Sequence, residues 1–192
     1  MKKLLIYILT AFTVLTLPAS AKIPASQRIR LTDQWEYLKG DLGSIWEAVR
    51  MVAPGSSEAV PIWQPVTLPH CFNAEDAVDP DVNYYQGPGW YRTLLDIQNP
   101  AANGRTILEF EGAGQKTEVY IYTQKVGSHV GGYDSWNIDI TDAVQAFLAS
   151  KEADRFKGEI PLSIRCDNTR DAEMIPSDLS DFNLYGGIYR YL

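Results

Sequence analysis

The residues able to do chemistry are carboxylates, two histidines and two cysteines, and their spacing limits what each can do. An acid–nucleophile pair needs two carboxyl groups roughly 5 Å apart across the bond to be cut. The close acidic pairs are Glu109 with Glu111 and Asp139 with Asp142. On a strand, positions i and i+2 share a face, and both glutamates flank Phe110, so they read as the solvent side of a buried strand. Asp139 and Asp142 sit where a helix begins and read as capping residues. No catalytic pair is expected from either. His70 and His129 are the only histidines and lack metal-ligand spacing, so no metal is expected and each is read as a structural hydrogen-bonding group. There is no nucleophile elbow, phosphate loop or dinucleotide fingerprint, and no cofactor is implied. Cys71 and Cys166 are too few for a disulfide framework and are expected unpaired and buried.

The elements that must hold these side chains are mostly strands, because apolar and polar residues alternate with period two and aromatic and β-branched types abound. Trp90–Ile97, Arg105–Glu111, Thr117–Tyr122, Lys125–Val130, Ser135–Ile140 and Glu159–Asp167 read as strands, and Gly187 opens a last one. Ile107 and Phe110 are expected in the core, as are Val119 and Ile121. One short helix is predicted over Asp142–Ala149, capped by Thr141, with Val144, Phe147 and Leu148 as its buried stripe. Residues 52–61, 71–88 and 169–184 read as loops. Many short strands with one helix predict an all-β sandwich.

The first residues read as a targeting signal. Lys2 and Lys3 precede an uncharged apolar run from Leu4 to Leu17, and Pro18-Ala19-Ser20-Ala21 supplies small residues for cleavage after Ala21. The run is short for a membrane span, which needs roughly 20 residues. A periplasmic or secreted mature domain, residues 22–192, follows as an expectation. Losing the two lysines takes the net charge from −7 to −9. That acidity argues against nucleic acid, which needs a basic footprint, and against an anionic membrane surface.

Three motifs stand in fixed order: Leu68-Pro69-His70; Gly87-Pro88-Gly89-Trp90-Tyr91-Arg92; and the closing run Pro176 to Arg190, with Asp181-Phe182-Asn183-Leu184-Tyr185-Gly186-Gly187-Ile188-Tyr189-Arg190. With Asp33 to Tyr37, Leu108 to Gly112, Val119-Tyr120-Ile121, Asp139-Ile140-Thr141 and Asp167-Asn168, they make the chain resemble the sugar-binding domain that opens glycoside hydrolase family 2 enzymes. That family includes β-galactosidases, β-glucuronidases and β-mannosidases. The resemblance implies a galactose-binding-domain-like jelly roll that packs on a catalytic barrel and lends a loop to its active-site rim. The family's catalytic glutamates lie in that barrel, beyond the residues read here, so this stretch alone is expected to be inactive. Asp181 matches the position where β-galactosidases and β-glucuronidases set an aspartate against hydroxyls of the terminal sugar. A carboxylate suits that task because it accepts two charge-assisted hydrogen bonds from adjacent hydroxyls. Asn183 and Tyr185 share the loop. In the Cys71–Gln86 loop, Asn73 and Asn83 are further candidates for substrate contact. Thr123-Gln124 stands where relatives carry Asn-Gly between hairpin strands.

Arg92 and Arg190 are read as packing residues with guanidinium groups paired to carboxylates. Trp90 reads as core, with Trp136 and Trp63 the more exposed candidates for stacking on a sugar ring. Two functions follow as expectations. One is the amino-terminal sugar-binding domain of an exported retaining exo-β-glycosidase, first of all a β-galactosidase, whose partners are a terminal β-linked sugar and its own barrel. The other is a free-standing carbohydrate-binding module without catalysis.

Overall fold

The alternation read from the sequence resolves into ten strands in the computed structural model, which describes residues 26–52, 56–76, 78–79, 81–97, 103–176 and 183–192. The predicted leader, residues 1–21, and Asp181 lie outside the described residues. In chain order the strands are β1 (Trp35–Lys39), β2 (Gln64–Val66), β3 (His70–Cys71), β4 (Pro88–Leu95), β5 (Ile107–Phe110), β6 (Lys116–Ile121), β7 (Gln124–Val130), β8 (Trp136–Asp139), β9 (Ile160–Asp167) and β10 (Gly187–Ile188). Six of them form an antiparallel sheet in the order β2-β1-β4-β9-β6-β7. The pairs β5–β8 and β3–β10 form the opposing layer, and a bridge between Gly114 and Gly187 ties β10 to the start of β6. The result is an all-β sandwich, as the sequence predicts.

β9 sits mid-sheet and is buried at every position except Arg165 and Asp167, as expected of a strand covered on both faces. β6 keeps the predicted alternation, with Thr117, Val119 and Ile121 buried and their neighbours half-buried. In β5 the phase differs from expectation. Leu108 and Phe110 enter the core and Ile107 stays 48% exposed, because period two lets Phe110 share its face with Leu108 but not with Ile107. Glu109 and Glu111 point outward as predicted. The β6–β7 hairpin closes across Ile121 and Gln124, so its two turn residues are Tyr122 and Thr123. Tyr122 takes φ of +53° there, and its ring packs against Trp46, Phe147 and Phe156.

Among the described residues three short helices appear rather than one. α1 (Trp46–Val49) is a single turn that buries Ala48 and Val49. α2 (Thr141–Leu148) matches the predicted helix and buries Ala143, Val144 and Phe147, while Leu148 remains 45% exposed. A 3-10 helix (Lys151–Phe156) follows and buries Ala153 and Phe156. The predicted cap of α2 is replaced. Thr141 Oγ1 accepts the Thr106 N–H at 2.7 Å, and the Asp139 carboxylate accepts the Thr141 N–H at 2.9 Å. A donor 35 residues away has taken the hydroxyl that local sequence assigned to the helix.

Candidate functional site

The rim implied by the sequence is built on residues 183–188, and alternation explains its exposure. Asn183 and Tyr185 point outward, while Leu184, Gly186, Gly187 and Ile188 are buried. Two fully buried carboxamides hold this segment. Asn73 donates from Nδ2 to the Leu184 carbonyl at 2.8 Å and accepts at Oδ1 from the Gly186 N–H at 2.9 Å. Asn168 donates to the carbonyls of Leu184 and Tyr85, both at 2.9 Å, and accepts the Gly87 N–H at 2.8 Å. The Tyr84 hydroxyl also donates to the Leu184 carbonyl, and burial pushes that phenol up to about 12. Gln115 Nε2 reaches the Tyr185 carbonyl at 3.2 Å. The loop after β3 and the loop before β10 are thus tied together by side-chain amides beyond the short β3–β10 ladder.

Glycine is required at two points of the clamp. A Cβ on Gly186 would lie 2.1 Å from the Phe72 ring, and one on Gly187 would lie 2.5 Å from both the His70 carbonyl and the Tyr91 hydroxyl. Gly187 also holds φ of +119°. These contacts explain the Gly186-Gly187 pair that stands out in the sequence.

The sequence-predicted site residues therefore separate. Asn183 lies exposed on the rim, beside exposed Tyr185. Asn73, expected to touch substrate, is 0% exposed with both ends of its carboxamide engaged, so in this structure it positions the rim from beneath. Asn83 is exposed in the loop before β4. Asn168 and Gln115 were not singled out from sequence as site residues. A polar residue directly after the buried strand β9 was the available signal for Asn168. Tyr133, 41% exposed, stands by the same rim, with the Arg190 guanidinium on its carbonyl at 3.2 Å. The described rim thus offers neutral hydrogen-bonding groups and aromatic faces, which suit polyhydroxylated ligands.

His70, His129, Arg92 and Arg190 bond within the fold. His70 Nδ1 lies 2.8 Å from the Tyr91 hydroxyl, and burial holds the His70 pKa below its ordinary value. The unfolded chain then binds the extra proton more readily than the folded one, so this group stabilises the fold above about pH 6.5 and that contribution is lost as pH falls below it. We expect the melting temperature to drop between pH 7.5 and 5.0 with a shallower slope in His70→Gln; an unchanged slope in the variant would assign the acid sensitivity elsewhere. His129 pairs with Asp134 at 3.1 Å and stacks on Trp136. Arg92 donates to Glu36 at 2.7 Å, as predicted, whereas Arg190 bonds main-chain carbonyls rather than a carboxylate.

Trp136 is sandwiched between Phe110 and His129, so both its faces are covered, and Arg92 lies over the ring of half-buried Trp63. The exposed tryptophan is Trp46, at 56%. Glu109 pairs with Arg28. Asp139 is held at about 2 by the Thr141 hydroxyl and N–H and by Arg105, so it stays ionised as a helix-start partner. Both cysteines are free. Cys71 is half-buried and donates to Asn73 Oδ1, and burial pushes the fully buried Cys166 thiol up to about 12.

Comparison with known proteins agrees with this architecture. The family model for the glycosyl hydrolases family 2 sugar binding domain matches residues 19–192. A crystal structure of Parabacteroides merdae β-glucuronidase with glycerol in its active site superposes with a TM-score of 0.83 and 79% identity, covering 90% of this chain and 22% of that one. A β-glucuronidase of Bacteroides fragilis is 33% identical over 125 residues, which is 65% of this chain and 16% of that protein. A β-galactosidase of Thermoanaerobacter pseudethanolicus matches at 28% identity over 126 residues, covering 65% of this chain and 15% of that protein. The chain therefore spans about a fifth or less of the length of these relatives.

Proposed function

Because the chain belongs to the sugar-binding domain family of the family 2 glycosyl hydrolases, we propose that it serves a β-glucuronidase, with the terminal β-linked glucuronic acid as the sugar its rim meets. The sequence motifs favoured a β-galactosidase first. The 79% identity over 90% of the chain to the P. merdae enzyme, against 28% to the β-galactosidase, moves the reading to β-glucuronides.

In this reading the reaction is retaining hydrolysis of a terminal O-glycosidic bond, by two glutamates of a barrel carried outside these 192 residues. The domain positions the non-reducing sugar. Asp181 accepts hydrogen bonds from adjacent sugar hydroxyls, Asn183 adds a contact from the same loop, and Asn73 and Asn168 fix that loop's base. The leader at residues 1–21 directs export, and sequencing the amino terminus of the exported protein tests this: a mature chain beginning at Lys22 supports it, an intact Met1 refutes it.

The test of substrate class is a polypeptide joining this domain to its barrel, assayed on p-nitrophenyl β-D-glucuronide and β-D-galactoside. A site built to pair a substrate's polar group rejects an analogue lacking it strongly, so a preference of roughly a thousandfold or more for the glucuronide is expected. Equal or reversed preference would return the assignment to a β-galactosidase.

A further inference from the structure

Beside the segment 183–188 lies the turn that joins β7 to β8, and one buried side chain fixes its place. Gln115 is 0% exposed. Its main chain is held on both sides: the Gln115 N–H reaches the Asp167 carbonyl and the Gly131 N–H reaches the Gln115 carbonyl, each at 2.9 Å. Its Nε2 donates to the Tyr185 carbonyl at 3.2 Å. The turn closes tightly over this carboxamide, because a Cβ on Gly132 would lie 2.7 Å from Gln115 Nε2. The Tyr189 hydroxyl donates to the Gly132 carbonyl, and the Arg190 guanidinium reaches the Tyr133 carbonyl at 3.2 Å. Turn and segment are thus one assembly. The turn adds Tyr133 to its surface, 41% exposed like Tyr185.

Gln115 also acts on the Tyr133 side chain. Burial raises the Tyr133 phenol, and a hydrogen bond from the Gln115 side chain lowers it in part. A hydrogen bond has that effect when it is donated to the phenol oxygen, because it favours the charged form. The carboxamide nitrogen carries two hydrogens, which are therefore divided between the Tyr185 carbonyl and the Tyr133 hydroxyl. A phenol that accepts from a fixed amide keeps its own proton for another acceptor. Gln115 Oε1 is buried without a partner among the described residues. Buried acceptors in native folds are nearly always paired, so an unpaired one marks a place for a donor from outside the chain. One carboxamide thus sets a phenol O–H and an acceptor oxygen, both uncommitted, at the same point of the rim.

On the reading that this domain meets the terminal sugar, we propose that Tyr133 is a further substrate-contact residue, donating from its phenol to a ring hydroxyl remote from the scissile bond, and that buried Gln115 is its positioning residue. The barrel acts at the anomeric carbon, so a second domain reaching the same sugar meets the hydroxyls at its far end. A neutral phenol suits them, since it bonds an uncharged hydroxyl and offers its ring face to the sugar's C–H groups. Both β-glucuronides and β-galactosides carry such hydroxyls, so the role of Tyr133 does not depend on which of the two is cleaved.

The test uses the polypeptide that joins this domain to its barrel, with p-nitrophenyl β-D-glucuronide and its 3-deoxy and 4-deoxy analogues. Where the parent prefers the galactoside, the galactoside and its deoxy analogues replace them. Tyr133→Phe should lower kcat/KM about fivefold on the intact sugar. On the analogue that lacks the bonded hydroxyl it should cost no more than about twofold, because the partner is already gone. Gln115→Met keeps the volume but has no N–H to give, and its loss should depend on the same hydroxyl. The double variant should fall within about twofold of the weaker single variant, as for two residues acting through one bond. If Gln115→Met does not fold, Tyr133→Phe decides alone, since it removes a single hydroxyl. Equal losses on the intact and both deoxy substrates, or no loss in Tyr133→Phe, overturn the proposal. Failure of the glucuronide reading shows separately, in the parent's own preference between the two sugars.

Discussion

Replacing Asp181 by Ala in a polypeptide that joins this domain to its barrel should lower kcat/KM for a β-glucuronide by two to three orders of magnitude. The expectation rests on the carboxylate accepting hydrogen bonds from two adjacent hydroxyls. A hydrogen bond to a charged group contributes about 1.5–3 kcal/mol. Losing two therefore costs about 3–6 kcal/mol before water refills the space, and each 1.4 kcal/mol is a factor of ten. Asp181→Asn should retain part of the activity, because the carboxamide keeps one acceptor but loses the charge that strengthens both bonds. The split between kcat and KM is informative: a loss confined to KM would mean equal binding of ground and transition states, and a loss in kcat means contacts that tighten only as the bond breaks. The melting temperature should stay within about 1 °C of the parent, the result expected where a side chain acts on substrate and not on the fold. Activity unchanged in Asp181→Ala would remove this residue from the site.

The second large effect is on stability and centres on Asn168. Asn168→Ala should destabilise the domain by about 3 kcal/mol. Its removal leaves the buried Gly87 N–H without its acceptor and takes a donor from each of the Tyr85 and Leu184 carbonyls, and a buried polar group deprived of its partner costs about 1–3 kcal/mol. Asn168→Asp should be worse at pH 7 even though it is nearly isosteric. The oxygen that replaces Nδ2 would face two carbonyl oxygens, with an ionised carboxylate fully buried among them. Burial would raise that carboxyl's pKa, so the defect should shrink on acidification as the protonated acid regains a donor. Urea titrations at pH 7 and pH 5 measure both effects. A loss below 1 kcal/mol in both variants would show that the clamp is not what holds the rim. If it is, amide exchange at Tyr185 and Gly186 should quicken in both, because their loop loses its anchor.

Much of the fold is legible in local sequence. The strand predicted over Trp90–Ile97 is observed over Pro88–Leu95, and the helix predicted over Asp142–Ala149 is observed over Thr141–Leu148. Side-chain period and turn residues act within a few positions of one another, so a linear reading captures them. The 3-10 helix at Lys151–Phe156 escaped because its two buried side chains, Ala153 and Phe156, are too few to mark a period. The order of the three motifs likewise carried the family assignment without any coordinates.

By itself, then, the sequence determined the strand-rich architecture, the single amphipathic helix of two full turns, and the family. Tertiary structure alone decided which polar residues anchor the segment 183–188 from beneath and which lie exposed on it. Asn73 and Asn183 are both loop asparagines in sequence, yet one is fully buried and the other is exposed. The Leu184 and Gly186 partners of Asn73 lie 111 and 113 residues away, and the Gly87 partner of Asn168 lies 81 away. The same holds for the hydroxyl of Thr141, claimed by Thr106, and for the faces of Trp136, covered by Phe110 and His129. A side chain's type fixes what it can bond. What it does bond depends on which distant segments the packed core brings within about 3 Å, and no local pattern encodes that.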